Sequence, residues 1–297
     1  MKTAEASTTA KVIAASTILL ACDARTVSLV APEAATLCEH FLSGRFTDRL
    51  LARSAALPLT RALWCGIERA TLPGIMAHYW HRKNWIEARC RRAIASGAGR
   101  VIVLGAGFDT LGLRLACEMQ NLDVYELDHP ATQSVKATAL TALSPLKNFH
   151  LAPCNMAEEP LPHMAEEPLP IWLFDAQTPT VVIIEGVLMY LPEDKVKKLF
   201  ASLRQLAGGH VQIIFSFMTQ WPDGSSGFRP RSLLVERWQS WRGEPFTWAI
   251  APGAMEKFLS ALGFALREMV SAREFSRTDS RLEGENLVVC EPIEDTR

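Results

Sequence analysis

Gly105 and Gly107 follow the apolar run Val101-Ile102-Val103-Leu104 and precede a helix-like stretch that ends at Met119. A buried strand ending in such a turn lets backbone approach a nucleotide or amino-acid moiety closely. Asp109 puts a carboxylate beside the turn, which would repel a pyrophosphate; a dinucleotide-binding turn would also want Gly or Ala where Thr110 stands. A zwitterionic cofactor bearing an ammonium group suits Asp109 instead. Further along, Asp123–Asp128 reads as a strand ending in acid, with Glu126 and Asp128 on one face. Asp128 falls 21 residues after Gly107, where a ribose-binding carboxylate belongs in a nucleotide-binding βαβ unit.

Metal chemistry finds less support. His78 and His81 form an H-x-x-H with no second ligand pair nearby, and the seven cysteines contain no C-x-x-C. An odd, scattered set of thiols is the usage of a reducing compartment, so we expect a cytoplasmic protein without a metal site.

The elements that must position these residues have an α/β texture. Residues 1–98 read as helices without strands, punctuated by Pro32 (N1-like, just before Glu33), Pro58 and Pro73. Within them, Leu19-Leu20-Ala21-Cys22 has the form of a lipoprotein cleavage box, but a buried helix of small residues from Ser7 to Ala24 is the preferred reading. The apolar run Val12–Leu20 is too short to span a bilayer. From Arg100 onward, buried strands alternate with helices: 101–104, 123–128, 148–153, 180–184 and 211–217, then closing strands at 264–270 and 286–290. Helices follow Pro130, cover Pro192 to Leu206 and run from Ala254 to Leu262, while Trp221 to Pro252 reads as irregular and aromatic. That alternation predicts a doubly wound, mostly parallel sheet with ligands at the carboxyl ends of its strands.

The heptapeptide Met156–Pro162 recurs unchanged as Met164–Pro170 and reads as an exposed loop lengthened by local duplication. With 48% hydrophobic and 21% charged residues, global disorder is excluded. Thirty-one basic against 32 acidic residues, a net charge of -1, argue against a nucleic-acid binder. The basic stretch Arg82 to Arg100 reads as the wet face of a helix.

Taken together, V-I-V-L-G-A-G-F-D-T-L-G-L-R-L at 101–115, Y-E-L-D-H-P at 125–130 and E-G-V-L-M-Y-L-P at 185–192 resemble the leucine carboxyl methyltransferase family. The resemblance spans about residues 76 to 290, with a weaker echo near residues 8 to 42. It implies a class I, Rossmann-like, seven-stranded fold that uses S-adenosylmethionine (SAM) and releases S-adenosylhomocysteine (SAH). It further implies a helical N-terminal cap over 1–98, a SAM-binding domain over 99–297 and a substrate lid around 218–252. By the same resemblance, Gly105, Ala106, Gly107, Asp109 and Thr110 form the cofactor turn, Asp128 holds the ribose and Glu185 faces the methionine end. Arg82 matches an arginine that pairs with the SAM carboxylate, Asn155-Met156 replaces an Asp-apolar pair at the adenine, and Tyr190 lies near the transferring methyl. The chain departs from the family at Ala31-Pro32, where Asp-Pro is usual, and at Ala21 and Cys22, where a basic residue is usual; Arg25 is the nearest substitute.

The expected activity is O-methylation, with a small-molecule carboxylate as acceptor, because an ionised carboxylate needs no general base. Alternatives are a phenol or alcohol acceptor, which would want a base, or a SAM-binding partner protein without turnover. The aromatic segment, with Trp221, Phe228, Trp238, Trp241, Phe246 and Trp248, is a candidate wall for a flat acceptor.

Overall fold

A computed structural model of the chain describes residues 6–156, 158, 177–206, 210–276 and 282–293. Most of the tandem repeat at 156–170 lies outside the described residues.

Five helices come first: α1 (Thr8–Ala21), α2 (Ala34–Phe41), α3 (Phe46–Ala56), α4 (Pro58–Thr71) and α5 (Ile75–Ala95). Ser7 caps α1 by accepting from the Ala10 N–H, and the small residues of α1 let it pack closely. Ala14, Ala15, Ile18 and Leu19 are buried there against Phe41, Trp80, Phe108 and Leu113. The Trp80 indole donates to the Thr17 hydroxyl at 3.0 Å, fastening α5 to α1. Pro58 starts α4 as expected, whereas α2 begins only at Ala34, after Glu33 takes a left-handed φ of 61°.

The rest alternates as predicted: β1 (Arg100–Leu104), α6 (Leu111–Glu118), β2 (Asp123–Asp128), α7 (Pro130–Leu140), β3 (Phe149–Pro153), β4 (Thr180–Ile184), α8 (Glu193–Leu206) and β5 (Val211–Met218). Then come α9 (Leu233–Arg242), α10 (Met255–Ala261), β6 (Phe264–Ser271), α11 (Ala272–Ser276) and β7 (Glu285–Pro292). The seven strands form one sheet in the order β3-β2-β1-β4-β5-β7-β6, parallel except for β7. Alternating side chains serve opposite faces. Ile102, Leu104, Val182 and Ile184 meet α8, while Val101, Val103, Val181 and Ile183 meet Trp85 and Ile86 of α5 and Leu115 of α6.

Two helices were not read from the sequence. The segment taken as irregular contains α9, whose head is capped by Ser232 and whose tail ends on Gly243 at φ 75°. Its Leu233, Leu234 and Trp241 are exposed, so it lacks the apolar stripe that reveals a helix in sequence. The five-residue α11 is too short to show a period. Among the described residues, no helix is long and apolar enough to cross a membrane.

The strand order reverses between β1 and β4. Their carboxyl ends, carrying Gly105 and Glu185, therefore open a crevice at the switch point.

Candidate active site

The turn after β1 is built for close approach. Gly105 has φ 67° and donates its N–H to the Leu127 carbonyl at 2.7 Å; a Cβ there would collide with the Val187 side chain. Gly107, at φ 51°, donates its N–H to the Asp128 carboxylate. Asp128 also accepts from the His129 N–H at 2.6 Å, so one carboxylate ties the β1 turn to the head of α7. Burial raises the Asp128 pKa, and these two N–H donors oppose the rise. Beneath it, Lys136 reaches Glu126 at 2.5 Å and donates to the Asp109 carbonyl at 2.6 Å, bracing the turn from below.

Beside the turn runs a buried ladder of alternating charge. Arg82 on α5 donates from Nε (2.9 Å) and Nη2 (2.7 Å) to Glu185 Oε1, and from Nη1 to both oxygens of Glu285 (2.8 and 3.0 Å). His78 Nε2 meets Glu285 at 2.7 Å from the far side. Lys83 continues the ladder to Asp109 at 2.8 Å and Glu185 at 3.1 Å. Burial alone would raise the Glu285 pKa, but Arg82 and His78 outweigh it and hold the carboxyl down at about 2. Asp109 is likewise held at about 2, with Lys83 overcoming the cost of burial.

These bonds change two expectations. A guanidinium has five N–H donors, and within the ladder Arg82 already bonds through all three of its nitrogens, Nε and Nη2 to Glu185 and Nη1 to Glu285. A cofactor carboxylate would therefore meet a guanidinium whose three nitrogens are already bonded, in place of the free clamp that was expected. Asp109 is already neutralised by Lys83 and also accepts from the Thr110 N–H at 2.8 Å, so it is no open counter-ion for an ammonium group.

The crevice is a cavity of about 470 Å³. It gathers Arg82, Gly105, Ala106, Gly107, Asp109, Asp128, Asn155, Met156, Glu185 and Tyr190, all singled out from sequence. Thr110 is not among its lining residues; it is buried at the head of α6, beside Arg114. Arg25 is also elsewhere, paired with Asp23 at 2.7 Å. None of the six aromatic residues of the 221–248 segment lines the cavity. Trp248 is buried against the sheet and Trp241 is exposed, so the expected aromatic wall is not formed by them.

Residues missed by sequence reasoning complete the lining. Lys83, adjacent to Arg82, is one; its position beside a candidate ligand was the available signal. Ser7 and Thr9 enter from α1, and Glu244 from the segment after α9. The Ser7 hydroxyl donates to Glu244 Oε1 at 3.1 Å and the Thr9 hydroxyl to Oε2. Tyr190 belongs to a 3-10 turn, Leu188–Tyr190, that is tied to the same segment: Thr247 N–H donates to the Met189 carbonyl at 2.7 Å and Phe246 packs 5.5 Å from the Tyr190 ring. Burial pushes the Tyr190 phenol well above its usual pKa.

Residues 21–204, well over half the chain, match the leucine carboxyl methyltransferase family. The chain belongs to that family. Its cofactor is accordingly S-adenosylmethionine. The similar curated proteins are named for SAM-dependent methyl transfer: one from Mycobacterium ulcerans is 32% identical over 151 residues, covering 48% of this chain and 47% of the relative. One from Mycobacterium tuberculosis is 31% identical over 138 residues, covering 44% and 43%. The chain thus spans about half the length of the curated relatives it matches. Among solved structures, a protein from Thermobifida fusca titled as a methyltransferase aligns with a TM-score of 0.56 at 16% identity, covering 87% of this chain and 94% of that one. A DUF574 family protein from Streptomyces avermitilis aligns at 0.59 and 13% identity, covering 86% and 95%. At such identities the likeness is one of fold.

Proposed function

We propose that this member of the leucine carboxyl methyltransferase family transfers a methyl group from SAM to an oxygen of a small molecule. The observation that carries the reading is the Gly107–Asp128 bond at the switch point, which puts a glycine cradle and a ribose-competent carboxylate in one cavity. The cofactor fits these residues. A Cβ at Gly105 would crowd the cradle, and the cavity's carboxylates outnumber its cations, which suits a cofactor of net positive charge.

When bound, SAM supplies a methyl group already activated on a sulfonium. The chain's residues do the rest. Asp128 accepts from the ribose hydroxyls, while Asn155 and Met156 take the adenine edge and face. The N–H groups of Arg82 and Lys83 left uncommitted by the ladder hold the cofactor carboxylate by charge-assisted bonds. Tyr190, kept protonated by burial, faces the acceptor with its ring and hydroxyl. In this reading the N-terminal helices form a cap that meets the 218–252 lid through the bonds of Ser7 and Thr9 to Glu244, and alignment in a sheltered site supplies most of the rate. Seven free thiols fit a cytoplasmic enzyme.

An acceptor carboxylate follows from the family resemblance and requires alignment alone; a hydroxyl acceptor requires a base as well. Transfer of label from SAM to a panel of small acids and phenols tests the reading. SAM binding without transfer to any oxygen would favour a non-catalytic binding partner instead.

A further inference from the structure

Glu244 takes no part in the cofactor contacts proposed above. Its side chain is buried, lines the cavity and follows Gly243 at the tail of α9. Among the described residues it pairs with no cation, unlike Glu185 and Asp109, which meet Arg82 and Lys83. Its two oxygens each accept one neutral hydroxyl, from Ser7 and Thr9, and each retains a lone pair. The Thr247 hydrogen bond to Met189 and the packing of Phe246 on the Tyr190 ring hold this segment against the 188–190 turn.

The cavity lining carries five carboxylates, Asp109, Asp128, Glu158, Glu185 and Glu244, against the two cations Arg82 and Lys83. Both cations are already bonded to carboxylates. SAM's positive charges offset part of that surplus, yet an acceptor carboxylate seated against Glu244 would still meet like charge there, with no uncommitted cation beside it among the described residues. A neutral hydroxyl would instead donate to Glu244.

Resting on the SAM-dependent reading above, we propose that Glu244 selects a phenol or alcohol acceptor and serves as its general base. As the acceptor oxygen forms its bond to the methyl carbon, the carbon–sulfur bond breaks and its electron pair stays on sulfur, leaving a neutral thioether. The hydroxyl proton passes to the Glu244 carboxylate and then to water.

The test compares wild type with Glu244→Gln and with the Ser7→Ala/Thr9→Ala pair, using phenols and benzoates of matched ring structure. Binding of each acceptor is followed by calorimetry in the presence of SAH, and turnover by labelled SAM. The proposal expects wild type to bind and methylate phenols in preference to benzoates. In Glu244→Gln it expects phenol turnover to fall by about a hundredfold or more, with SAM affinity changed less than about threefold and the melting temperature held, since the amide oxygen still accepts from one hydroxyl. The Ser7/Thr9 pair, which keeps the base, should retain far more turnover than Glu244→Gln. Preference for benzoates, no phenol bound or turned over, equal losses in both variants, or full turnover in Glu244→Gln overturns the assignment. Failure of wild type to bind SAM or SAH would instead sink the functional reading beneath it.

Discussion

Arg82 and Glu285 form a buried two-point pair, with Nη1 at 2.8 and 3.0 Å from the two carboxylate oxygens. The pair joins the cavity to the start of β7, and His78 meets the same carboxylate at 2.7 Å. Removing the arginine takes away the two-point partner of Glu285, which is fully buried, and leaves it the contact with His78. Arg82→Ala should therefore cost about 3–5 kcal/mol of stability. Sequence reasoning alone would have the apo protein lose little. Thermal unfolding of the variant decides it: a melting temperature within a degree of wild type would show that the pair contributes nothing net.

Acid should undo the same ladder. The Glu285 carboxyl is lowered from its ordinary 4.5 to about 2, and Asp109 from 3.8 to about 2. Depressed carboxylates contribute stability that is complete above their unfolded pKa and is lost as pH falls through the folded value. Stability should therefore decline between about pH 4.5 and pH 2. In Glu285→Gln the decline should be shallower, because one of the protons taken up on unfolding is gone. Unfolding midpoints in urea across that range provide the check, and parallel profiles for the two proteins would count against it.

Gly105→Ala places a methyl group against Val187 and forces alanine to φ 67°. The left-handed backbone alone costs roughly 1–2 kcal/mol, and the methyl occupies the cradle. Loss of SAM binding together with a lower melting temperature is expected. Retention of full affinity, measured by calorimetry, would remove the turn from the cofactor site.

How far the sequence could be read depended on range. Gly105, Gly107 and Asp128 were legible because a βαβ unit puts them at fixed spacing within about thirty residues. The strand alternation was legible for the same local reason. Glu285 and Glu244 were not, because their partners Arg82, Ser7 and Thr9 lie more than 200 residues away, and no local period encodes such a meeting. Arg82 itself was found, but its commitment to Glu185 and Glu285 was hidden, so a free carboxylate clamp was expected. The aromatic segment misled because richness in Trp and Phe says nothing about which way the rings face. Trp248 turns to the sheet and Trp241 to solvent.

The most direct test of the account is calorimetric titration of SAM and SAH into wild type, Asp128→Asn and Asp128→Ala, each with its melting temperature recorded. Asp128 accepts from the Gly107 and His129 N–H groups as well as from the proposed ribose, so the asparagine variant keeps an acceptor for the backbone while removing the charge. The account predicts one cofactor per chain for wild type and an affinity lower by about 1.5–3 kcal/mol in Asp128→Ala, with a smaller loss in Asp128→Asn and little change in its melting temperature. Absence of SAM binding in the wild type, or undiminished affinity in Asp128→Ala, would contradict it.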